Sequence, residues 1–204
     1  MDNTPQPSAS YHHGDLYNAL IEAGITLLQE EGVSALTLRK VAGRAKVSHA
    51  APYRHFADKH ALLAAIAQQG FQTLTATMQD AVNKHGGSPR QQLLAIGEHY
   101  VQFGITHPAH LNLMFGEVLQ QENDTLHEVA RASFNVLLNA VTHAQQAGIL
   151  KAGNSRQMAV SMWSMVHGLT VLKGLRLAEQ GDSELKEYVG GMLEQLLEGL
   201  ATSN

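Results

Sequence analysis

Thr37-Leu38-Arg39-Lys40-Val41-Ala42-Gly43-Arg44-Ala45-Lys46-Val47-Ser48-His49-Ala50-Ala51-Pro52-Tyr53-Arg54-His55-Phe56 is the stretch from which the fold follows. Thr37 is a good helix N-cap, and Leu38, Val41, Ala42 and Ala45 recur on one face of the short helix after it. Lys46-Val47 forms a corner. Ser48 then caps a second short helix predicted to end near Phe56, with Pro52 where a missing amide does limited harm. Small Ala42 lets the two helices approach, and Val47 and Phe56 supply apolar anchors. This is the anatomy of a helix-turn-helix, whose second helix fits a major groove about 12 Å wide.

Outward from this stretch the chain reads as helices throughout. Leu16, Leu20, Ala23 and Leu27 keep a three-to-four spacing that predicts a helix from Asp15 to Glu31, closed by Gly32. After Asp58 a long helix is predicted to about Lys84, with Leu62, Leu63, Ile66, Leu74, Met78 and Val82 inward, before the break at His85-Gly86-Gly87-Ser88-Pro89. Further helices are predicted over Arg90 to Thr106, Pro108 to Phe115, Thr125 to Ala147, Ser155 to Gln180 and Ser183 to Leu200. The expected fold is all-α. A flexible arm (1–10) precedes a three-helix unit (11–57), and a larger helical body follows (58–204). The last helix carries two apolar stripes, Leu185, Val189, Met192, Leu196 and Leu200 on one and Tyr188, Leu193 and Leu197 on the other. Two apolar sides need two coverings, and a second copy of the chain is the economical one.

Charge is divided along the chain. Thr37 to His60 holds six cations (Arg39, Lys40, Arg44, Lys46, Arg54, Lys59) and one anion (Asp58), whereas Ala61 onward holds eight cations and twelve anions. A basic island ahead of an acidic body suits a small nucleic-acid reader on a larger domain, and it also suits a solvated helix face. The chain contains no cysteine, so disulfides, thiolate metal sites and cysteine nucleophiles are excluded. No apolar run reaches the roughly 18 residues of a membrane span, and the polar start from Met1 to Ser10 lacks the features of a signal peptide, which gives a cytoplasmic expectation. No nucleophile–base motif and no His-Glu-x-x-His is present, so the expectation is not an enzyme. His107-x-x-His110 supplies two imidazoles without an obvious third ligand, so neither a metal nor a cofactor is assigned. A helical ligand- or metal-binding protein, or a helical enzyme, without DNA binding is the alternative.

Leu36-Thr37-Leu38-Arg39-Lys40-Val41-Ala42, Val47-Ser48, Tyr53-x-His55-Phe56 and Asp58-Lys59-x-x-Leu62-Leu63 resemble the N-terminal domain of the TetR repressor family. Tyr11-His12-His13-Gly14-Asp15-Leu16, the run from Ser48 to Phe56 and Trp163-x-x-x-His167-Gly168 resemble its branch with a C-terminal Trp-His-Gly signature. The resemblance implies a dimeric repressor of a palindromic DNA operator, released by a small molecule. Arg39 would read a guanine through O6 and N7, and His49 a base edge or phosphate. Ala50 and Ala51 would let the backbone close on a thymine methyl. Thr37, Ser48, Tyr53, His55 and Lys59 would clamp phosphates, with Arg54 and Lys46 as further contacts. Two positions depart from the family pattern: Lys46 stands where glycine is usual, and Tyr17 where many of this branch carry a cation. The body would hold the effector among Phe103, His107, Met114, Phe115, Phe134, Met162, Trp163 and His167, where methionine beside rings suits an adaptable apolar pocket. Leu175, Leu185, Val189, Met192, Leu196 and Leu200 would form the seam with the partner subunit.

Overall fold

The structure, a computed structural model, describes residues 13–120, 122–173 and 182–201. Their order is α1 (His13–Ala35), α2 (Leu38–Arg44), a 3-10 turn (Pro52–Arg54), α3 (Lys59–Lys84), α4 (Pro89–Thr106), α5 (Pro108–Met114), a second 3-10 turn (Glu117–Gln120), α6 (Asp124–Gln146), α7 (Ser155–Lys173) and α8 (Asp182–Leu200). The chain divides into two compact units, 1–66 and 67–204. The division falls inside α3, because Leu62, Leu63 and Ile66 are buried in the core of the first unit. The expected arm lies outside the described residues, as does the expected last turn of α7.

In the first unit Leu20, Ile21, Ala23, Leu27 and Leu28 of α1 are buried with Leu38, Val41 and Ala42 of α2. Gly24 lets α3 close on α1, since a methyl there would sit 2.8 Å from Ile66 Cδ1. Gly32 interrupts α1 at φ 78°, as a glycine stop should. Thr37 caps α2 through its side chain, which accepts from the Lys40 amide at 3.2 Å.

The helix expected from Ser48 to Phe56 is corrected. Ala51 N bonds Ser48 O (2.9 Å), Arg54 N bonds Ala51 O (3.2 Å) and His55 N bonds Pro52 O (3.0 Å), so the segment is built of tight turns, with 3-10 geometry only at Pro52–Arg54. Pro52 cannot donate to Ser48, and nine residues give an α-helix little length over which to recover the lost bond. The corner ahead of it needs a left-handed residue, and Lys46 supplies it at φ 56°. A β-carbon in that conformation costs roughly 1–2 kcal/mol.

The second unit is arranged on α4, which packs against α5, α6, α7 and α8. A methyl at Gly97 would lie 2.7 Å from a Leu193 methyl, and one at Gly104 would fall on the Thr170 side chain, so these glycines set the approach of α8 and α7. The inward stripe of α8 is Val189, Leu193 and Leu197, at 3%, 2% and 1% exposure. This corrects the expected outward stripe at Val189, which belongs to the subunit's own core. Met192, Leu196 and Leu200 are half-exposed. Leu175 lies outside the described residues, and the side chain of Leu185 does too. Lys151 closes the base of the unit, its amide donating to Leu200 O (2.9 Å) and its ammonium to Gly199 O (3.0 Å). Val82, expected inward, is half-buried, and Ala81 takes the buried position beside it.

Lys46→Gly removes the left-handed strain but adds glycine's unfolded-state entropy, for a net gain of roughly 0.5–1 kcal/mol. Thermal unfolding of the variant should show a higher midpoint; a fall would mean that the Lys46 side chain contributes more than its backbone costs.

Candidate functional site

The head presents an exposed polar face. Thr37, Arg39, Lys46, Ser48, His49, Ala50, Tyr53 and Arg54 are all exposed, and Tyr53 holds its phenol out with 61% of its surface in solvent. Six cations are not six equivalent contacts, however. Arg44 forms a two-pronged pair with Glu30 of α1, and Lys40 pairs with Glu31 at 2.5 Å. The Arg44 hydrogen bond holds the Glu30 carboxyl below its ordinary pKa. Lys59 donates to Val33 O at 2.6 Å and, more weakly, to Ser34 O at 3.5 Å, which fastens the start of α3 to the C-terminal carbonyls of α1. It is thus engaged inside the head rather than held out for a phosphate. Among the described residues Arg39, Lys46 and Arg54 have no carboxylate partner.

Two further expectations change. Ala51 is 8% exposed and faces the interior of the turn, so no thymine methyl can reach it. His55 is half-buried in an aromatic trio, with Tyr17 at 5.9 Å and Phe56 at 6.3 Å between ring centroids. Tyr17 also lies 5.3 Å from Phe56, which gives it a packing role where a cation would otherwise stand.

The body contains a cavity of about 660 Å³. Phe71, Leu74 and Met78 of α3, Leu93, Ile96 and Tyr100 of α4, and Leu193 of α8 supply much of its apolar wall. Of the expected lining, Phe115, Phe134, Met162 and Trp163 are present. Phe103, His107, Met114 and His167 are corrections. Phe103 is 5% exposed and stacks on His107 at 5.0 Å, away from the cavity. Met114 is fully buried against Gly70. The His107 and His110 rings stand edge to face at 5.8 Å, and no three potential metal ligands converge among the described residues.

His167 sits one layer behind the wall, and its position explains the Trp-x-x-x-His spacing. Trp163 and His167 lie one turn apart on α7 and both meet Tyr100 of α4. Trp163 Nε1–H donates to the Tyr100 oxygen at 3.2 Å, and the Tyr100 hydroxyl and His167 Nδ1 share a hydrogen bond of 2.7 Å. Burial pushes the imidazole pKa down and the phenol pKa up, so both stay neutral near pH 7. Phe115 packs on His167 at 4.8 Å and on Trp163 at 5.6 Å.

Sequence reasoning missed Tyr100, Phe71, Leu74 and Met78 because their spacing is that of ordinary core residues. It also missed Arg131 and Arg156, which line the cavity from α6 and α7. Their signal would have been two arginines in otherwise apolar-faced helices, which reads equally well as solvated surface.

The sequence matches two family descriptions, "Bacterial regulatory proteins, tetR family" over residues 20–66 and "Tetracyclin repressor-like, C-terminal domain" over residues 93–198. The fold is similar to the solved structure of a protein of unknown function from Rhodococcus sp. RHA1, with a TM-score of 0.86 and 33% identity over 96% of this chain and 100% of that one. The chain is 22% identical to the uncharacterized HTH-type transcriptional regulator YobS of Bacillus subtilis, over 91% of this chain and 92% of that protein. Its head is 49% identical over 51 residues to the class A tetracycline repressor from transposon 1721 of Escherichia coli, covering 25% of this chain and 24% of the repressor. Among the described residues no helix is long and apolar enough to cross a membrane.

The depressed imidazole carries a pH consequence. His167 binds its proton more readily unfolded than folded, so the folded body is favoured above pH 6.5, the ordinary histidine value, and loses stability as pH falls below it. Protonation also sets a second donor against the Tyr100 hydroxyl. Chemical denaturation at pH 7 and pH 5 should show this loss, and His167→Gln should shrink the difference; an unchanged difference would remove His167 from the account.

Proposed function

The chain belongs to the TetR family, and from that membership we propose how it works as a ligand-regulated, DNA-binding transcriptional repressor. The observation that carries this reading is the exposed face formed by α2 and the turn segment after it, where Arg39, Lys46 and Arg54 have no carboxylate partner among the described residues and Ser48, His49 and Tyr53 are exposed as well. Arg39 reads a guanine edge, with the fork geometry suited to O6 and N7. Arg54 and Lys46 neutralise phosphates, and Thr37, Ser48, His49 and Tyr53 add hydrogen bonds to the backbone. Ala50 is short enough to let the turn approach a base.

The working unit is a homodimer, and the outer faces of α7 and α8 support it. Leu172 and Tyr188 are 57% and 48% exposed, and Met192 and Leu196 remain half-exposed beside them. A methyl at Gly168 or Gly191 would meet nothing within the subunit, which leaves room for a partner helix to come close. Two heads then match a palindrome whose half-sites lie roughly 34–36 Å apart. The effector enters the body cavity, and α3 carries the consequence. Its first turns belong to the head unit, whereas Phe71, Leu74 and Met78 further along it line the cavity. A ligand that fits better when α3 has shifted favours the state that does not bind DNA. This scheme has no catalytic step, and it operates in the cytoplasm, where the operator is.

Selection of bound duplexes from a randomised pool should recover an inverted repeat. Arg39→Ala should lose about 1–3 kcal/mol of discrimination at one base pair. Arg54→Ala should instead weaken all duplexes alike and flatten the salt slope by about one unit. Equal losses on selected and random DNA for Arg39→Ala would refute its base-reading role. Met192→Glu should yield monomers by light scattering and lose operator binding; a dimer of undiminished affinity would move the seam elsewhere.

A further inference from the structure

The cavity wall and its mouth differ in chemistry. Within the wall Tyr100 and Trp163 satisfy one another and His167, so these two polar rings have little left to offer a ligand. Ser133 is the remaining buried polar residue on the wall, while His127 is half-buried and Asn135 exposed among the lining. A bound molecule rich in polar groups would leave most of them unpaired there, at a desolvation cost that an acyl chain avoids. At the exposed side the balance reverses. Arg131 of α6 and Arg156 of α7 both line the cavity, both are exposed, and neither pairs with a carboxylate among the described residues. The Arg156 guanidinium is held 5.4 Å over the ring of Phe134, itself a wall residue, which keeps a cation at the mouth at small entropic cost. Two guanidiniums at one apolar opening repel each other until an anion lies near both, and their planar forks suit carboxylate or phosphate oxygens.

We infer that this cavity takes an amphipathic anion, an acyl chain seated on the apolar wall with its anionic head group held at the mouth by Arg131 and Arg156. The inference rests on reading the cavity as the effector site. It makes the two arginines specificity determinants: the wall accepts many apolar bodies, and the mouth selects the charged ones.

Trp163 is the only tryptophan of the chain and lines the cavity, so its emission reports occupancy without a label. The full-length protein is titrated with tetradecanoate, its methyl ester and tetradecanoyl-CoA. The acid should bind at least about tenfold more tightly than the ester, because only the acid offers the mouth a charge. Arg131→Gln with Arg156→Gln should bring the acid down to the level of the ester and leave the ester unchanged, which also shows that the variant is folded. A thioester that binds better than the acid, and loses that advantage in the double variant, supports the proposal with the anion on a larger head group. A thioester weaker than the acid supports it with the anion as a free carboxylate. Equal binding of acid and ester, no binding of any of the three, or a double variant that still prefers the acid overturns it. The same titrations against operator-bound protein separate the two readings. Charge-dependent binding without release of DNA keeps the ligand class and rejects the effector role. Release by an uncharged ligand does the reverse.

Discussion

Helix α4 passes through the middle of the body, and the rest of that unit depends on how closely its neighbours approach it. Gly97 and Gly104 remove two side chains where Leu193 and Thr170 come in. Between them stands Tyr100, a large residue whose hydroxyl must find partners once buried. Trp163 and His167 provide them from α7. Small residues thus bring the helices together while one hydrogen-bonded ring holds them in register. The cavity is the space bounded by Tyr100 and the shorter apolar side chains around it. A wall maintained by a satisfied polar network keeps its shape when empty better than one of loose aliphatic chains.

The head is held by a different balance. Around a hydrophobic centre that includes Leu20, Leu27, Val41, Leu62 and Ile66, and with turns connecting α2 to α3, ionic and capping contacts also tie its helices together. Arg44 and Lys40 tie α2 to α1 through Glu30 and Glu31, and Lys59 ties α3 to the carbonyl end of α1. Individually such exposed pairs are weak. Their effect lies in sorting the basic island, because half of its cations hold the helices and the other half have no carboxylate partner among the described residues. The left-handed Lys46 belongs to the second half: it accepts backbone strain at the corner and keeps an exposed positive charge there.

The exposed polar face of the head and the cavity of the body are built by separate units. Among the described residues α3 contributes to both units, capped by Asp58 at its start, where the carboxylate accepts from the Ala61 amide at 2.9 Å, and lining the cavity further on.

Much of this was legible in the sequence, because helix type and position are local properties. The cap at Thr37, the helix start near Asp58, the breaks at Gly32 and at His85 to Pro89, and the three-to-four spacing of Leu20, Leu27, Leu62 and Ile66 all act within a few residues. They are enough to establish an all-α chain with a helix-turn-helix near its start. The tertiary structure decided what depends on residues far apart in the chain. No local pattern separates Arg39 from Arg44, since the difference is Glu30 on another helix. The same holds for His167, whose Nδ1 meets the Tyr100 hydroxyl of α4, and for Leu193, whose place on α4 depends on Gly97. Arg131 and Arg156 have meaning only together, as two charges brought to one opening by helices whose sequences never meet. Periodicity records which face of a helix is apolar; which neighbour covers that face, and what stands beside it, is set by packing alone.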